Sequence, residues 1–141
     1  MFSALDVAKY IVGYCCDKKH PITNLKLQKM LYFIWVEYYQ KYNEALFIDD
    51  ICAWPLGPVL PEVYYEYCSY AGLPISISED SCIDAHTALR LEPIIDKYMY
   101  EPTSSLVDKT HQAGKPWSLI FKDGVGNRKI IPFSLIRELE V

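Results

Sequence analysis

Apolar residues recur at helical spacing from the start of the chain. Ser3 is a candidate N-cap, and Asp6 follows at the spacing of a capping box, near the positive end of the helix dipole. The apolar stripe behind this cap predicts a first amphipathic helix, with Ala4, Val7, Ala8, Ile11 and Cys15 on its buried face. A polar run over 17–20 and then Pro21 end it.

A second, broader apolar pattern begins at Thr23, another candidate N-cap. Ile22 and Leu27 have the spacing of a hydrophobic staple, and no glycine or proline occurs up to Tyr42. On a helical wheel the apolar arc covers more than half of the circumference and contains Leu25, Leu27, Leu31, Tyr32, Ile34, Trp35, Val36, Tyr38, Tyr39 and Tyr42. So wide an arc predicts a helix packed by several neighbours.

Two residues of this helix depart from the pattern. Gln28 lies inside the apolar arc, and we expect it to bond to nearby backbone, since an unpartnered buried amide costs about 1–3 kcal/mol. Phe33 lies among the polar positions, with Met30 near their edge. Either another element covers this side, which is the commoner arrangement, or the two residues form an exposed contact patch.

The middle of the chain predicts a hairpin followed by a helix. Short apolar runs at 46–48 and 51–54 are separated by two aspartates at 49–50, which indicates a β-hairpin turn. A Gly-Pro turn follows, and Pro61 suits the first position of a helix that runs to about Ala71 and stops at Gly72.

The last third predicts short elements: a strand at 75–77, a helix capped by Asp84 that Pro93 divides or restarts, a helix from Thr103, a loop over 122–129 and a final helix from Pro132. We therefore predict an α+β, predominantly helical fold. It is a compact single domain over residues 1–141, with about five to six helices and a small antiparallel β-hairpin.

Composition narrows the class of protein. A chain of 141 residues has the length of one domain and can bury a core without a metal or disulfide. Its twelve tyrosines suit half-buried surfaces and interfaces, or equally a core padded with aromatic rings. The net charge of −4, without a long basic run, argues against non-specific nucleic-acid binding.

The five cysteines indicate a reducing compartment. Their number is odd, no C-x-x-C occurs, and Cys15 and Cys16 are adjacent, so free buried thiols are expected. The N-terminus lacks the features of a signal peptide, and no stretch reaches the ~18 apolar residues of a membrane span. These patterns predict a cytoplasmic protein with no membrane contact.

No known catalytic motif occurs in the sequence. A phosphate-binding glycine loop, H-E-x-x-H and a nucleophile elbow are all missing, and the three histidines lack metal-ligand spacing. We therefore expect no enzyme, no catalytic residue, no metal site and no cofactor. A small hydrolase that pairs Cys52 with His111 is a remote alternative, because catalytic partners meet in space.

A basic cluster surrounds the turn between the first two helices: Lys18, Lys19, His20, Lys26 and Lys29. Two helices joined by a short turn allow a helix-turn-helix DNA reader as an alternative. The second helix buries too much of its circumference to lie free in a groove, so a solvated face is the preferred interpretation of these lysines.

Three segments, taken together, carry a resemblance to a known family. The run from Ile22 to Phe33 closely resembles the signature helix of the Panacea antitoxin-domain family, the SocA-like and often phage-associated proteins. The family's later landmarks are matched by 46–51, Ala53-Trp54, Gly57-Pro58-Val59, Pro61-Glu62-Val63-Tyr64, Thr110-His111 and Pro116-Trp117. The order is the same from Val7 to Trp117. Pro55-Leu56 stands where the family usually has an aromatic residue, and Cys52 where an acidic one is common.

The resemblance implies a mainly helical fold with a small antiparallel sheet, and an antitoxin that neutralises its cognate toxin by direct binding. The toxin would be encoded by an adjacent gene, in a prophage setting, and one branch of the family implies an adaptor that delivers the toxin for proteolysis. A DNA-binding autoregulator of such an operon is the alternative function. The sequence leaves a homodimer open.

Two sets of candidate site residues follow. Those expected to contact the partner lie on the polar arc of the second helix and in the Gly-Pro turn: Lys26, Lys29, Met30, Phe33, Leu56, Gly57, Pro58 and Val59. The family-motif residues expected to support the fold are Thr23, Gln28, Tyr32, Trp54, His111 and Trp117.

Overall fold

The computed structural model describes all of residues 1–141. Seven helices and three short strands follow in this order: α1 (Ala4–Asp17), α2 (Asn24–Tyr42), β1 (Ile51–Trp54), β2 (Gly57–Val59), α3 (Pro61–Tyr67), α4 (Ala85–Met99), α5 (Thr103–Thr110), α6 (Pro116–Phe121), β3 (Ile130–Ile131) and α7 (Phe133–Glu140). One connected core of 32 buried residues takes side chains from all seven helices and from β1 and β3. The predicted fold class is confirmed, with seven helices where about five to six are expected, because the sequence pattern does not predict the short α6.

The first two helices begin where their caps predict. The Ser3 side chain accepts from the backbone N–H of Asp6, and the Asp6 carboxylate accepts from the backbone N–H of Ser3, so the capping box is complete. The Thr23 side chain accepts from the backbone N–H of Lys26 at 3.2 Å. At its other end, α2 stops at Asn43, which adopts a left-handed conformation with φ +53.

Helix α2 is the centre of the molecule. It contacts α1, α3, α4, α5 and α7 as well as β2. This arrangement confirms the expectation of several neighbours, and it explains how a helix with a weakly one-sided pattern becomes buried along most of its length.

The sheet is antiparallel with strand order β2-β1-β3. Its hairpin joins β1 to β2 through Pro55 and Leu56, so the predicted hairpin with its turn at 49–50 is wrong. Two residues of the apolar run 46–48 belong to the core instead: Leu46 and Phe47 are buried, whereas Ile48 is exposed. The carbonyl of Phe47 accepts from Nε1 of Trp35 at 2.9 Å. Asp49 accepts from the backbone N–H of Ala4 at 3.0 Å.

Two further local predictions are wrong. Residues 75–77 form no strand: the backbone N–H of Ile75 bonds to the carbonyl of Ile22 at 2.8 Å, and Ile77 is exposed. Pro93 does not divide α4. It lies on the exposed side of the helix, as does Leu89, whose carbonyl it leaves free to bond water.

Candidate functional site

The family-like segments converge beneath the β1–β2 hairpin. From α2, Gln28 Oε1 accepts from the backbone N–H of Leu60 at 2.9 Å, and its amide nitrogen donates to the side chain of Asn24 at 3.0 Å. The bond to nearby backbone expected for Gln28 is thereby confirmed. The next residue, Lys29, donates from Nζ to the carbonyl of Pro58 at 2.7 Å. Two buried side chains of α2 therefore hold strand β2 and Leu60, the residue that follows it.

Helix α6 holds the other strand of the hairpin. Trp117 donates from Nε1 to the carbonyl of Trp54 at 2.8 Å. The Trp117 ring stacks between His111, with centroids 3.9 Å apart, and Phe121, with centroids 4.7 Å apart. Nε2 of His111 is buried and has no hydrogen-bond partner. The imidazole therefore acts here as a flat surface for stacking.

Lys29 is the most unusual group in this cluster, since it is fully buried and forms no ion pair. Burial lowers the pKa of its ammonium group to about 7. The close neighbour Gly57 has φ +115, and a Cβ at this position would lie 2.9 Å from Thr110 Oγ1 and 3.0 Å from Lys29 Cε. Only glycine fits the turn above the lysine.

Above these buried contacts, the hairpin carries an exposed aromatic surface. The Trp54 ring lies 5.0 Å from that of Tyr64 and 6.1 Å from that of Tyr65, and the Arg128 guanidinium lies 4.6 Å from its centroid. Leu56 at the turn and Tyr65 on α3 are each 56% exposed. We call these five residues the tip surface.

A small cavity adjoins the tip surface beside Leu56. It has a volume of about 220 Å³ and mostly apolar walls, lined by Asn24, Leu25, Gln28, Leu56, Val59, Tyr64, Cys68 and Ala71. Its size suits one large side chain of a partner more than a separate ligand, because ligand pockets usually begin at about 300 Å³.

Comparison with known proteins identifies the group to which this arrangement belongs. Residues 27–118 match the family described as "Antitoxin SocA-like, Panacea domain". The chain belongs to this family. The extension of the domain over the whole of 1–141 stays a prediction.

One curated relative is "Antitoxin SocA" of Caulobacter vibrioides (strain NA1000 / CB15N). It is 30% identical over 129 residues, which cover 81% of this chain and 68% of the relative. No solved structure matches the chain. Among the residues that the family match covers are all three side chains that hold the hairpin from below.

Burial corrects the expected exposure of the candidate partner contacts on α2. Lys29 and Met30 are fully buried, and Lys26 is 7% exposed. The Lys26 ammonium donates to the carbonyl of Met99, which explains how a cation is accommodated there. Phe33 is half-buried and stacks on Tyr98 with centroids 5.7 Å apart, so α4 covers this side of α2.

The turn residues divide in the same way. Gly57, Pro58 and Val59 are buried, and Leu56 alone of the four predicted contacts in the turn is exposed. The expected surface patch is therefore wrong for Gly57, Pro58 and Val59. Lys29 donates to the carbonyl of Pro58 from inside the molecule. Whether Leu56 contacts a partner stays a prediction.

The motif residues expected to support the fold have distinct surroundings. Thr23 caps α2, and the hydroxyl of the buried Tyr32 donates to Glu140 at 2.7 Å, joining α2 to α7. Gln28 and Trp117 are buried, whereas Trp54 is half-buried, with its carbonyl inside and its ring at the surface. Trp54 thus belongs to both the support and the surface.

Sequence reasoning missed three members of the tip surface. Tyr64 and Tyr65 are adjacent on α3, and their closeness to Trp54 depends on where that helix packs. Their side-by-side aromatic pattern is a signal that could have been used. Arg128 lies 74 positions beyond Trp54 in the chain, and no local pattern connects the two.

Two of the five residues in the basic cluster are buried. Lys26 and Lys29 bond to backbone carbonyls, so only Lys18, Lys19 and His20 remain near the surface. The prediction that Lys26 and Lys29 lie on a solvated face is wrong. Both side chains are buried and cannot contact a DNA backbone. The only sequence feature in favour of a DNA reader is weakened accordingly.

The chemistry considered for Cys52 and His111 has little support in their surroundings. Cys52 lies on the outer face of β1, where burial and then Asp50 raise the pKa of its thiol, which disfavours the reactive thiolate. His111 stacks on Trp117 instead of a nucleophile. All five cysteines are free, but Cys68 and Cys82 are exposed, so the expected burial is wrong for these two.

His, Cys, Asp and Glu side chains nowhere gather in threes as a metal ion would require. None of the helices combines the length and the apolar character needed to cross a membrane.

Proposed function

We propose that the chain neutralises a protein toxin by binding it directly, and that the tip surface is the principal contact. The family assignment supports an antitoxin role. The observation that carries the proposal further is the tip surface, in which the half-buried Trp54 ring lies among the exposed Leu56, Tyr65 and Arg128. Buried side chains hold the hairpin that carries Trp54 and Leu56 from below.

The composition of the tip surface is that of a binding hot spot. Tryptophan, tyrosine and arginine are the residue types that dominate binding energy at protein interfaces. Arg128 already lies over the Trp54 ring, so its long side chain is partly ordered before a partner arrives. The adjoining cavity of about 220 Å³ can receive an apolar side chain beside Leu56.

The support beneath the hairpin favours tight binding. Ordering a loop on association costs free energy, and a loop that is already held avoids this cost. Lys29, Gln28 and Trp117 each bond to a different backbone group of the hairpin or its exit. The buried signature residues therefore contribute to toxin binding through the rigidity of the surface above them.

The test is co-expression of the chain with the protein encoded by the adjacent gene, in a host whose growth that protein inhibits. Wild-type chain restores growth and is recovered in a complex with the toxin. Leu56→Asp, which places a charge in the tip surface, abolishes both, whereas Leu89→Asp on the exposed side of α4 retains both.

Toxin abundance, followed in the same cultures, separates occlusion from delivery to a protease. Direct neutralisation leaves the amount of toxin unchanged while growth recovers. The proposal is refuted for this partner if the wild-type chain neither restores growth nor binds, and the tip surface is refuted as the contact if Leu56→Asp behaves like wild type.

A further inference from the structure

A second concave surface lies at the other end of β1 from the hairpin turn. It is a groove of about 320 Å³ whose apolar lining includes Cys52, Leu60, Val63 and Ile130. Cys52 and Ile130 are paired across the β1–β3 ladder and point to the outer face of the sheet. The volume lies at the lower end of the range for binding pockets, which suits one or two side chains.

All charged residues at the rim of this groove are acidic. Asp50 and Glu62 are exposed, and neither takes part in an ion pair. Asp49 is also on the rim, but one of its carboxylate oxygens accepts from the backbone N–H of Ala4 at 3.0 Å. No lysine, arginine or histidine lines the groove. We call this feature the acidic groove.

The acidic groove lies next to the tip surface along β1 and α3. Residues of β1 alternate between buried and half-buried, so Cys52 and Trp54 share the outer face of the strand. Two residues along a strand are about 7 Å apart. Helix α3 borders both features, with Glu62 and Val63 at the groove and Tyr65 at the tip surface. A partner that covers the tip surface therefore reaches the groove.

Charge and shape together define the occupant. The apolar floor favours binding only when an apolar side chain of the partner replaces water there. The unpaired carboxylates of Asp50 and Glu62 attract cations, and repel anions, at the edges of the same groove. A positively charged segment therefore fits the groove, and a negatively charged one is excluded. This charge preference makes the groove specific for basic peptides.

We propose that the acidic groove binds a short segment of the toxin in which an apolar residue is flanked by lysine or arginine. As a contact with the toxin this inference rests on the proposed function. As a preference for one kind of peptide it is measured without the toxin, so the two claims fail independently.

The experiment uses three synthetic fluorescent peptides of equal length with the same central Leu-Phe pair. The flanking residues are arginine and lysine in the first, glycine and serine in the second, and glutamate in the third. Each is titrated into the full chain by fluorescence anisotropy, and methyl NMR signals of Val63 and Ile130 report the place of binding. Only the basic peptide is expected to bind, with shifts at both methyl positions.

A charge variant and a matched control test the assignment. The double variant Asp50→Asn, Glu62→Gln is expected to lower the affinity for the basic peptide about fivefold, which is the effect of losing two exposed ion pairs. Asp108→Asn, Glu138→Gln removes two exposed charges elsewhere and is expected to change nothing. Binding to the unaltered chain should also weaken as salt rises, a readout that needs no variant.

Equal binding of the neutral or acidic peptide would overturn the inference, as would shifts confined to other methyl groups. The affinity of the same variant for the toxin is a further test. If the wild-type chain restores growth but the Asp50→Asn, Glu62→Gln variant binds the toxin with unchanged affinity, the groove is not a toxin contact and the proposed function still stands. Loss of toxin affinity in this variant alone supports the groove as part of the interface.

Discussion

Replacement of Lys29 by methionine isolates the energetic role of the buried ammonium group. Methionine has a similar length and carries no charge, so it keeps most of the packing beneath Gly57. It removes the bond from Nζ to the carbonyl of Pro58. An unpartnered buried carbonyl costs about 1–3 kcal/mol. The variant also removes the cost of holding a lysine where burial lowers its pKa to about 7.

The pH dependence of stability separates these two effects. In the unfolded chain the pKa of Lys29 returns to about 10.4, so between that value and about 7 the unfolded chain binds a proton that the folded chain does not. The free energy of unfolding therefore rises with pH through this window and is lowest below about 7. From pH 6 to pH 8 the lysine is expected to contribute a rise of about 1.4 kcal/mol.

The assay is urea unfolding of wild type and Lys29→Met at pH 6, 7 and 8, followed by tryptophan fluorescence. Every other titratable group is present in both proteins, so the difference between them removes their contributions. The stability of Lys29→Met relative to wild type should fall by about 1.4 kcal/mol over this interval. Lys129→Met removes a surface charge and should run parallel to wild type. A difference between Lys29→Met and wild type that stays constant from pH 6 to pH 8 would refute the reasoning.

Other substitutions test the supports of the fold. Thr23→Ala removes the N-cap of α2 and should lower the free energy of unfolding by about 1 kcal/mol, measured by urea unfolding. Trp117→Phe keeps a stacking ring but loses the bond to the carbonyl of Trp54, so the β1 amides should exchange hydrogen faster; unchanged exchange would contradict the assigned role. Gly57→Ala forces a side chain onto φ +115 and should cost about 1–3 kcal/mol, whereas the control Gly72→Ala meets no neighbour within 4 Å. Equal effects at the two glycines would argue against strain at the turn.

Local signals predicted much of the helical framework. The caps at Ser3 and Thr23 depend on side chains that bond within one turn, so the sequence carries them directly. The apolar run at 46–48 has the pattern of a strand, but Leu46 and Phe47 pack into the core and the carbonyl of Phe47 accepts from Trp35. The hairpin therefore lies further along the chain than the pattern predicts. The two-residue strand β3 carries too little pattern to be recognised.

The candidate site was predicted only in part. The sequence predicts a buried amide at Gln28 because this residue interrupts an apolar arc, and the side chain is buried. The sequence pattern places Lys29 at the surface, because lysine is almost never fully buried and nothing local indicates the carbonyl that accepts its hydrogen bond. Arg128 reaches Trp54 only through the tertiary fold. Long-range contacts of this kind decide which signature residues support the hairpin and which face a partner.

The central claim is that buried signature residues hold a hairpin whose exposed tip binds the toxin. Calorimetric titration of the toxin into wild type and Tyr65→Ala, with the unfolding free energy measured on the same samples, tests it most directly. The tyrosine is 56% exposed, so its loss should leave stability nearly unchanged. Affinity should fall about thirtyfold, the effect of a hot spot of about 2 kcal/mol. Unchanged affinity for a correctly folded Tyr65→Ala chain would contradict the account.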